Sequence, residues 1–482
     1  MAIDFGNFLN AIGIRERVSG IACDSRRVRA GDLFFVLSGY TYNAIDFIEQ
    51  AVERGSVAIV VQRQDEAEAK SKLEGLGFPV GVYGVDDVRQ TLALAAKYFF
   101  PIPHYPLCFA VTGTNGKTTI TYLLKHLLDR STAIIGTVAY DLIHRVLPST
   151  QTTPDPLTFY AMLSDLPENA ALALEVSSHA LAQRRVYGLE IDVAIFSNLT
   201  SDHLDFHGDR EQYFLAKRRL FSGENGSRPK LNLFNDDDPF GRRLHGEWGG
   251  MGYGLGDRMS DYRGSDVVMT EDGVEFLLWH GGTKYNCSLG MIGRHNVENA
   301  LAAIGAVHRA SGQSLGGIVE KLATFPGVPG RLERVDSGDG PRIFIDFAHT
   351  EDGLRRVLES LQKIKRRHLL LVFGCGGDRD RTKRAPMMQV ACRLADKVIA
   401  TADNPRHEKI TDIFRDMEKG IPEGCEVIFE SDRREAIGEA LRRAGTDDMV
   451  LIAGKGHEIF QQIGDEKIPF NDRDAVRDFY AH

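Results

Sequence analysis

The chain has 482 residues, which at the usual domain size corresponds to about three domains. Its 43% hydrophobic and 26% charged residues are ordinary for a soluble globular protein with several cores. The net charge of -9 excludes a general attraction to nucleic acid, so an anionic ligand has to be held by local arginine, lysine or backbone N–H groups.

The opening "MAIDFGNFLNAIG" carries early acidic residues and no long apolar core. It reads as neither a secretory signal nor a membrane span, and the expectation is a cytoplasmic protein. Residues 1 to about 90 alternate apolar runs ("DLFFVL", "VAIVV", "GVYGV") with helical patterns such as "AIDFIEQAVERG", which makes a small α/β unit. "YFFPIPHYP", Tyr98 to Pro106, places three prolines in a short span and suits a boundary. A buried strand "LCFAV" follows, then a glycine turn, a helix over 117–129, and the runs "ALALEV" and "VAIFSNL" with polar ends. A third region opens near "GRLERV", Gly330 to Val335. Its runs "RIFIDFAH", "HLLLVFGCGGDRD", "KVIATADNPR" and "MVLIAGKGHE" again end in polar residues. In a doubly wound sheet such residues sit at the carboxyl ends of the strands, where ligands bind. The reading is three α/β domains, over 1–95, 96–330 and 331–482. The six cysteines (Cys23, Cys108, Cys287, Cys375, Cys392 and Cys425) show no paired spacing, so reduced thiols are expected rather than disulfides or a zinc site.

The segment "FAVTGTNGKTTITYLL", Phe109 to Leu124, runs from strand through a Gly/Thr turn to helix. Glycines there let backbone N–H groups approach phosphate oxygens at a helix N-terminus. Lys117 is placed to reach the β- and γ-phosphates, and the Thr118 hydroxyl to coordinate Mg²⁺. The general G-x-x-x-x-G-K-[ST] pattern is matched only in part, because Val111 stands at its first glycine. "TGTNGKTT" is instead complete as the phosphate loop of the Mur ligase superfamily.

The chain resembles that family almost end to end. The blocks that carry the resemblance include "DSRRVRAGDLFFVLSG", "TTPD", "EVSSHALAQRRV", "NLTSDHLDFHG", "AKRRLF", "NDDDPFG", "GRHNVENALAA", "PGRLERV", "DFAHT", "FGCGGDRDRTKR", "DNPRHE" and "GKGHE". It is most similar to the members that add the third residue of the peptidoglycan stem peptide. The resemblance implies a small N-terminal α/β domain that binds UDP, a central P-loop-type doubly wound ATPase domain and a C-terminal Rossmann-like domain. It implies a monomer that uses ATP and Mg²⁺. A carboxylate of UDP-N-acetylmuramoyl-L-Ala-D-Glu becomes an acyl phosphate, which the amine of an incoming amino acid attacks. Such chemistry needs cations, metal ligands and substrate clamps.

Residue by residue, the resemblance places ATP on Gly113, Thr114, Asn115, Gly116, Lys117, Thr118, Thr119, Asn235, Asn296, Asn299, Arg331, Asp346 and His349. Metal contacts fall on Thr118, Glu175, His203 and Lys217, the last as the lysine that the family carbamylates with CO₂. Lys117, Lys217 and Arg331 are the catalytic assignments. On sequence alone, Lys217 reads as a solvated lysine of a basic helix, His203 as a structural histidine and Arg331 as an interdomain ion pair. The muramoyl dipeptide falls to Gln151, Thr152, Thr153, Ser177, Gln183 and Arg185, and the uridine diphosphate to Ser25 beside Arg26. The incoming amino acid falls to Arg379, Asp403, Asn404, Pro405, Arg406, Gly454 and Glu458.

"DNPR" resembles the form selecting meso-diaminopimelate over L-lysine, since Arg406 suits a distal carboxylate that lysine lacks. Departures from the family are His295 for the usual Phe, Phe347 for Tyr, Gln151 for Asn and Lys409 for Pro. In "GYTYNAIDFI" an Asp-Gly-His element is missing. Three alternatives remain open: the same ligase acting on L-lysine or another amino acid, a folylpolyglutamate synthase, and a non-catalytic nucleotide and UDP-sugar sensor.

Overall fold

The computed structural model describes residues 4–39, 44–77, 80–200, 202–256 and 260–481. Tyr40–Asn43, within the "GYTYNAIDFI" departure, lie outside the described residues. The chain forms two compact units. The first comprises Met1–Ala110, Arg130–Ala194 and Leu215–Lys230, and the second Val111–Asp129, Ile195–Phe214 and Leu231–His482.

The first unit opens with four parallel strands in chain order, Gly20–Ala22, Asp32–Phe35, Ala58–Gln62 and Gly81–Val85. Their side chains alternate between two cores. Leu33, Phe35, Ala58 and Val60 enter one, with Leu92 and Ala95 of the helix Val88–Phe99. Phe34, Val36, Ile59 and Val61 enter the other, with Ile48 and Val52 of the helix Ile48–Glu53. A parallel sheet covered on both faces reads as a continuous apolar run, which is why "VAIVV" is legible as a strand. The same unit pairs Thr132–Ile135 in parallel with Ala171–Glu175, and antiparallel with Ala139–Asp141, which pairs in turn with Val146–Pro148.

The second unit holds the glycine turn and the helix Lys117–Leu127. Strands Leu231–Asn235, Met251–Gly254 and Tyr262–Met269 run in parallel, and Val274–His280 and Thr283–Leu289 continue antiparallel. The buried helix Arg294–Ser311 belongs to the same unit. Beyond it stands a six-stranded sheet in the spatial order Glu333–Val335, Arg342–Asp346, Met449–Ala453, Leu369–Cys375, Lys397–Ala402, Val427–Phe429. All its pairs are parallel except the first. Leu369, Leu371 and Phe373 face one core and Leu370 and Val372 the other. Asp346 pairs with Ala453 and Cys375 with Ala402, so Phe347, Gly376, Asp403 and Gly454 all emerge at the carboxyl edge. Among the described residues, no helix is long and apolar enough to cross a membrane.

The expectation of six unpaired thiols is overturned at one pair: Cys392 and Cys425 form a disulfide, their Cα atoms 5.9 Å apart. The helix Arg384–Leu394 carries Cys392, and Cys425 follows the helix Ile410–Glu418. The chain's return past these helices joins residues 33 positions apart, a distance over which sequence spacing carries no pairing signal. In the chain-entropy view, closing such a loop stabilises by about 3–4 kcal/mol. Cys392→Ser should therefore lower the thermal midpoint, and reductant should do the same to the native chain but leave the variant unmoved.

Candidate active site

The phosphate loop owes its shape to two glycines. Gly113 has φ 149°, and a Cβ there would lie 1.9 Å from Ser197 Oγ. Gly116, at φ 91°, precedes the first helical residue, and its Cβ would meet Asn299 Oδ1 at 2.4 Å. Any side chain at either position would have to displace the wall opposite. The Thr114 amide donates to Asn198 O (2.8 Å) and the Asn115 amide to Asn198 Oδ1 (3.0 Å), which fixes the loop from behind. Lys117 Nζ folds over the loop and donates to Gly113 O and Thr114 O, both at 2.9 Å. No side chain caps the helix at Gly116, and its positive N-terminal end favours an anion.

Beside this loop is a small, partly open pocket. Asn115, Gly116, Asn235 and Asn299 line it, as the sequence places them. Asn296 does not line it: it donates to Ile292 O and accepts from Asn299 Nδ2 at 3.1 Å, and so orients the asparagine that does. Ser197, Asn198, Tyr253, His295, Glu298 and Arg356 complete the wall. Arg331 Nη2 donates to Thr118 Oγ1 (3.3 Å), and its guanidinium lies 4.8 Å over the Phe347 ring. Asp346, buried, accepts from the amides of Leu332 and Ala348, both at 2.7 Å, and holds the Arg331 segment in place. His349 Nδ1 bonds Phe347 O (2.9 Å) and its ring packs on that phenylalanine.

The metal assignments divide between the units. In the first, Glu175 ends the strand Ala171–Glu175 almost wholly buried and accepts from Thr137 N (3.0 Å) and Oγ1 (2.9 Å). Lys217, on the helix Arg210–Ser222, is 1% exposed, so the solvated-lysine alternative does not hold. In the second, His203 adopts φ 53° with Nε2 3.4 Å from Asp202 Oδ2. Burial acts to raise the Asp202 carboxyl, but His203 and Lys383 beside it hold it well below the usual carboxylate range. The Thr118 hydroxyl and the Glu175 carboxylate are each hard oxygen donors of the kind Mg²⁺ takes while keeping several waters; the His203 imidazole and an unmodified Lys217 amine are not. Among the described residues, no group of three His, Cys, Asp or Glu forms a self-sufficient metal cage.

In the first unit the muramoyl set converges on Arg185. Its guanidinium donates to Gln183 Oε1 (3.0 and 2.8 Å), to Thr153 O (2.7 Å) and to Gln151 Oε1, so the longer amide of Gln151 reaches its arginine. Thr153 Oγ1 donates to Glu175 O and accepts from the Ser177 amide, while Thr152 bonds Thr137, the residue that also holds Glu175. Ser25 donates instead to Gln50 Oε1 (2.6 Å), and Arg26 is exposed and paired with Asp24.

The amino-acid set gathers at the carboxyl edge of the six-stranded sheet. Asn404 Nδ2 donates to Glu458 Oε2 (2.8 Å), and the fully buried Lys455 bridges Asn404 Oδ1 (3.1 Å) and Glu458 Oε2 (2.7 Å). Gly454, at φ 112°, passes so close to Asp403 that a Cβ would lie 2.7 Å from its carboxylate. Asp403 and Glu458 thus lie at one edge with Lys455, whose ammonium is bonded to Asn404 and Glu458, and burial raises the Asp403 carboxyl. Arg406 takes φ 50° and donates to Gly377 O (2.6 Å). Burial, and then its like-charged neighbour Arg379, lower the Arg406 guanidinium pKa, so the pair is suited to an anion.

Comparison with known proteins bears on this arrangement. The Mur ligase family (catalytic domain), the Mur ligase middle domain and the Mur ligase glutamate ligase domain match residues 17–100, 111–307 and 330–456. A curated relative from Geobacillus thermodenitrificans, UDP-N-acetylmuramoyl-L-alanyl-D-glutamate–2,6-diaminopimelate ligase, is 41% identical over 475 residues, covering 95% of this chain and 94% of its own. The chain belongs to the Mur ligase family. A solved ligase of that same description superimposes with TM-score 0.68 and 32% identity over 100% of this chain and 99% of its own. The MurF ligase of Thermotoga maritima, in complex with ADP, shares the fold at TM-score 0.61 and 20% identity, over 95% and 96% of the two chains. Like its family, this Mur ligase is an ATP-dependent ligase.

Several residues of the Mur ligase site escape the sequence motifs. Glu298 lies inside "HNVENA" yet is masked there by its asparagine neighbours, whereas Tyr253 and Arg356 come from segments without any motif. His295 in the cavity wall is held to about 4 by burial and then by Arg356, so it is neutral at physiological pH. Its folded value lies below its unfolded one, so the stability it confers is present above about 6.5 and declines as pH falls from there through about 4. His295→Phe should flatten the acid limb of a stability-versus-pH curve in that window.

Proposed function

We propose that this Mur ligase adds meso-2,6-diaminopimelate to UDP-N-acetylmuramoyl-L-Ala-D-Glu in peptidoglycan precursor synthesis. The observation that carries the amino-acid choice is the arginine pair, Arg379 and Arg406, beside the Asp403, Lys455 and Glu458 group. A zwitterion with an extra carboxylate meets both sets, and L-lysine, with only its α-carboxylate, leaves Arg406 unmatched.

ATP binds along the phosphate loop, its base in the asparagine-lined cavity and its γ-phosphate under Lys117. A carboxylate oxygen of the UDP-sugar dipeptide attacks the γ-phosphorus, the β–γ bridging bond breaks, and ADP departs. The neutral amine of the second substrate then attacks the acyl carbon. The tetrahedral adduct loses phosphate, and the amine proton leaves to solvent. Arg331 is assigned to the γ-phosphate and the developing acyl phosphate, where a guanidinium suits oxyanions. Gln151, Thr152, Thr153, Ser177, Gln183 and Arg185 are assigned to the muramoyl dipeptide and Ser25 to the uridine diphosphate. Mg²⁺, assigned to Thr118, Glu175, His203 and a carbamylated Lys217, supplies neutralisation of phosphate charge. A lysine amine withdrawn from water is suited to that modification. We place the domains at 1–95, 96–330 and 331–482, and the protein as a cytoplasmic monomer.

The test is phosphate release with ATP, Mg²⁺ and the UDP-sugar dipeptide, with meso-diaminopimelate and L-lysine in parallel. Release with diaminopimelate alone is expected. Release with lysine sinks the selectivity, and silence with both moves the protein to a sensor or a different acceptor.

A further inference from the structure

Two loops carry the arginines assigned to the amino acid, Gly376–Arg381 with Arg379 and Asp403–Glu408 with Arg406. Arg381 opens a short 3-10 turn. Arg406 bridges to Ile463, its N–H donating to Gln462 O (3.1 Å) and its carbonyl accepting from Gly464 N (2.7 Å). Each loop contains a non-glycine residue at positive φ, Asp378 at 51° and Arg406 at 50°. Such a backbone persists only where its surroundings over-determine it. Their separation therefore needs a cause outside the loops' own conformational preferences.

The 461–464 segment anchors the Arg406 loop from one side, and the side-chain bonds between the two loops converge on Glu408. Glu408 Oε1 accepts from the Asp378 amide at 2.7 Å and from Arg384 Nη2 at 2.9 Å. Glu408 Oε2 accepts from Arg381 Nη2 at 2.7 Å and Arg384 Nη1 at 3.1 Å. Arg384 is almost wholly buried, and its guanidinium also donates to Asp416 Oδ2 (3.0 Å) and to Gly376 O (3.2 Å), the first residue of the opposite loop. One carboxylate thus joins both loops to a guanidinium rooted in the helix Arg384–Leu394. Backbone contacts close the same seam: Gly377 N donates to Asn404 O (2.9 Å) and His407 N to Asp378 Oδ2 (3.2 Å).

We propose that Glu408 is a positioning residue, whose carboxylate braces the Arg379 loop against the Arg406 loop and so sets the spacing of the two guanidiniums that receive the amino acid's carboxylates. The last clause rests on the proposed function; the brace itself does not. Glu408 has no substrate contact in this assignment and acts through the two arginines. Its bidentate bond to Arg384 is of the strong, charge-assisted class. The Glu408 carboxyl is held at about 2 by these partners, Arg384 first, and stays ionised through any assay range.

The experiment uses the full chain with Glu408→Gln, which keeps the volume and one acceptor, and with Asp416→Asn, which loosens Arg384 from its other side without touching either loop. Amide hydrogen exchange is followed over 376–381 and 403–408, and KM is measured separately for meso-diaminopimelate and for ATP. In Glu408→Gln both loops should exchange faster together, KM for diaminopimelate should rise about 10- to 100-fold, as loss of a hydrogen bond to a charged group implies, and KM for ATP should stay within about twofold. Asp416→Asn should leave both KM values within about twofold. The brace is overturned if only the 403–408 loop exchanges faster, if KM for diaminopimelate does not move, or if Asp416→Asn raises it as much. A parallel rise of both KM values with a lower melting temperature also overturns it, because the effect is then global. If the unmodified protein releases no phosphate with diaminopimelate, the proposed function fails; joint loosening of the two loops still decides the brace.

Discussion

Lys117→Met lowers kcat for amino-acid-dependent phosphate release by about 10²–10³-fold, the usual cost of removing one preorganised donor from developing charge. The loop itself survives the change, because its backbone is fixed by Asn198 through the amides of Thr114 and Asn115, independently of the lysine. What is lost is the ammonium that Gly113 O and Thr114 O hold over the loop. An ammonium pre-placed by two carbonyls needs no reorganisation when the phosphoryl group moves, so its loss falls mainly on kcat and less on KM for ATP. Steady-state kinetics on Lys117→Met, with nucleotide affinity measured in parallel, check this. A large loss of affinity with kcat unchanged would make Lys117 a ground-state contact only.

Arg406→Met raises KM for meso-diaminopimelate about 100-fold, equivalent to roughly 2.7 kcal/mol, and narrows the preference over L-lysine by a similar factor. The guanidinium is half withdrawn from water beside Arg379, and its bond to Gly377 O leaves its remaining donors for an anion. Lysine brings no distal carboxylate, so its turnover, however small, stays the same in the variant. A competition assay with both amino acids reads the ratio directly. An unchanged ratio would move the selection elsewhere in the carboxyl-edge cluster.

The phosphate loop is legible in the sequence because its chemistry is local: two glycines, a lysine and a helix start are contiguous. The strands with cores on both faces are legible for a related reason, as in "HLLLVFG", where burial on both sides removes alternation and leaves an apolar run. Residues at the carboxyl edge follow from those runs, and Asp403, Arg406 and Gly454 lie where the runs end. Features made by chain return are not legible. The Cys392–Cys425 pair, the burial of Lys217 and the hub at Glu408 each depend on segments packed from elsewhere, and a helical lysine followed by two arginines reads as solvated until its helix is placed. Lys455 stands inside "GKGHE" without announcing its role, because a lysine between two glycines gives no sign that its ammonium is shared by Asn404 and Glu458.

Arg406, assigned in the proposed function to a distal carboxylate, holds a backbone conformation that asparagine or glycine would adopt with less strain. A mutation at this codon to either residue would relieve the main chain and discard the discriminating side chain in one step. The fold's own preference therefore runs opposite to the enzyme's choice of building block. On the proposed assignment, a change at this position that eases the backbone also removes the selecting group, so main-chain comfort and selectivity pull in opposite directions at one residue.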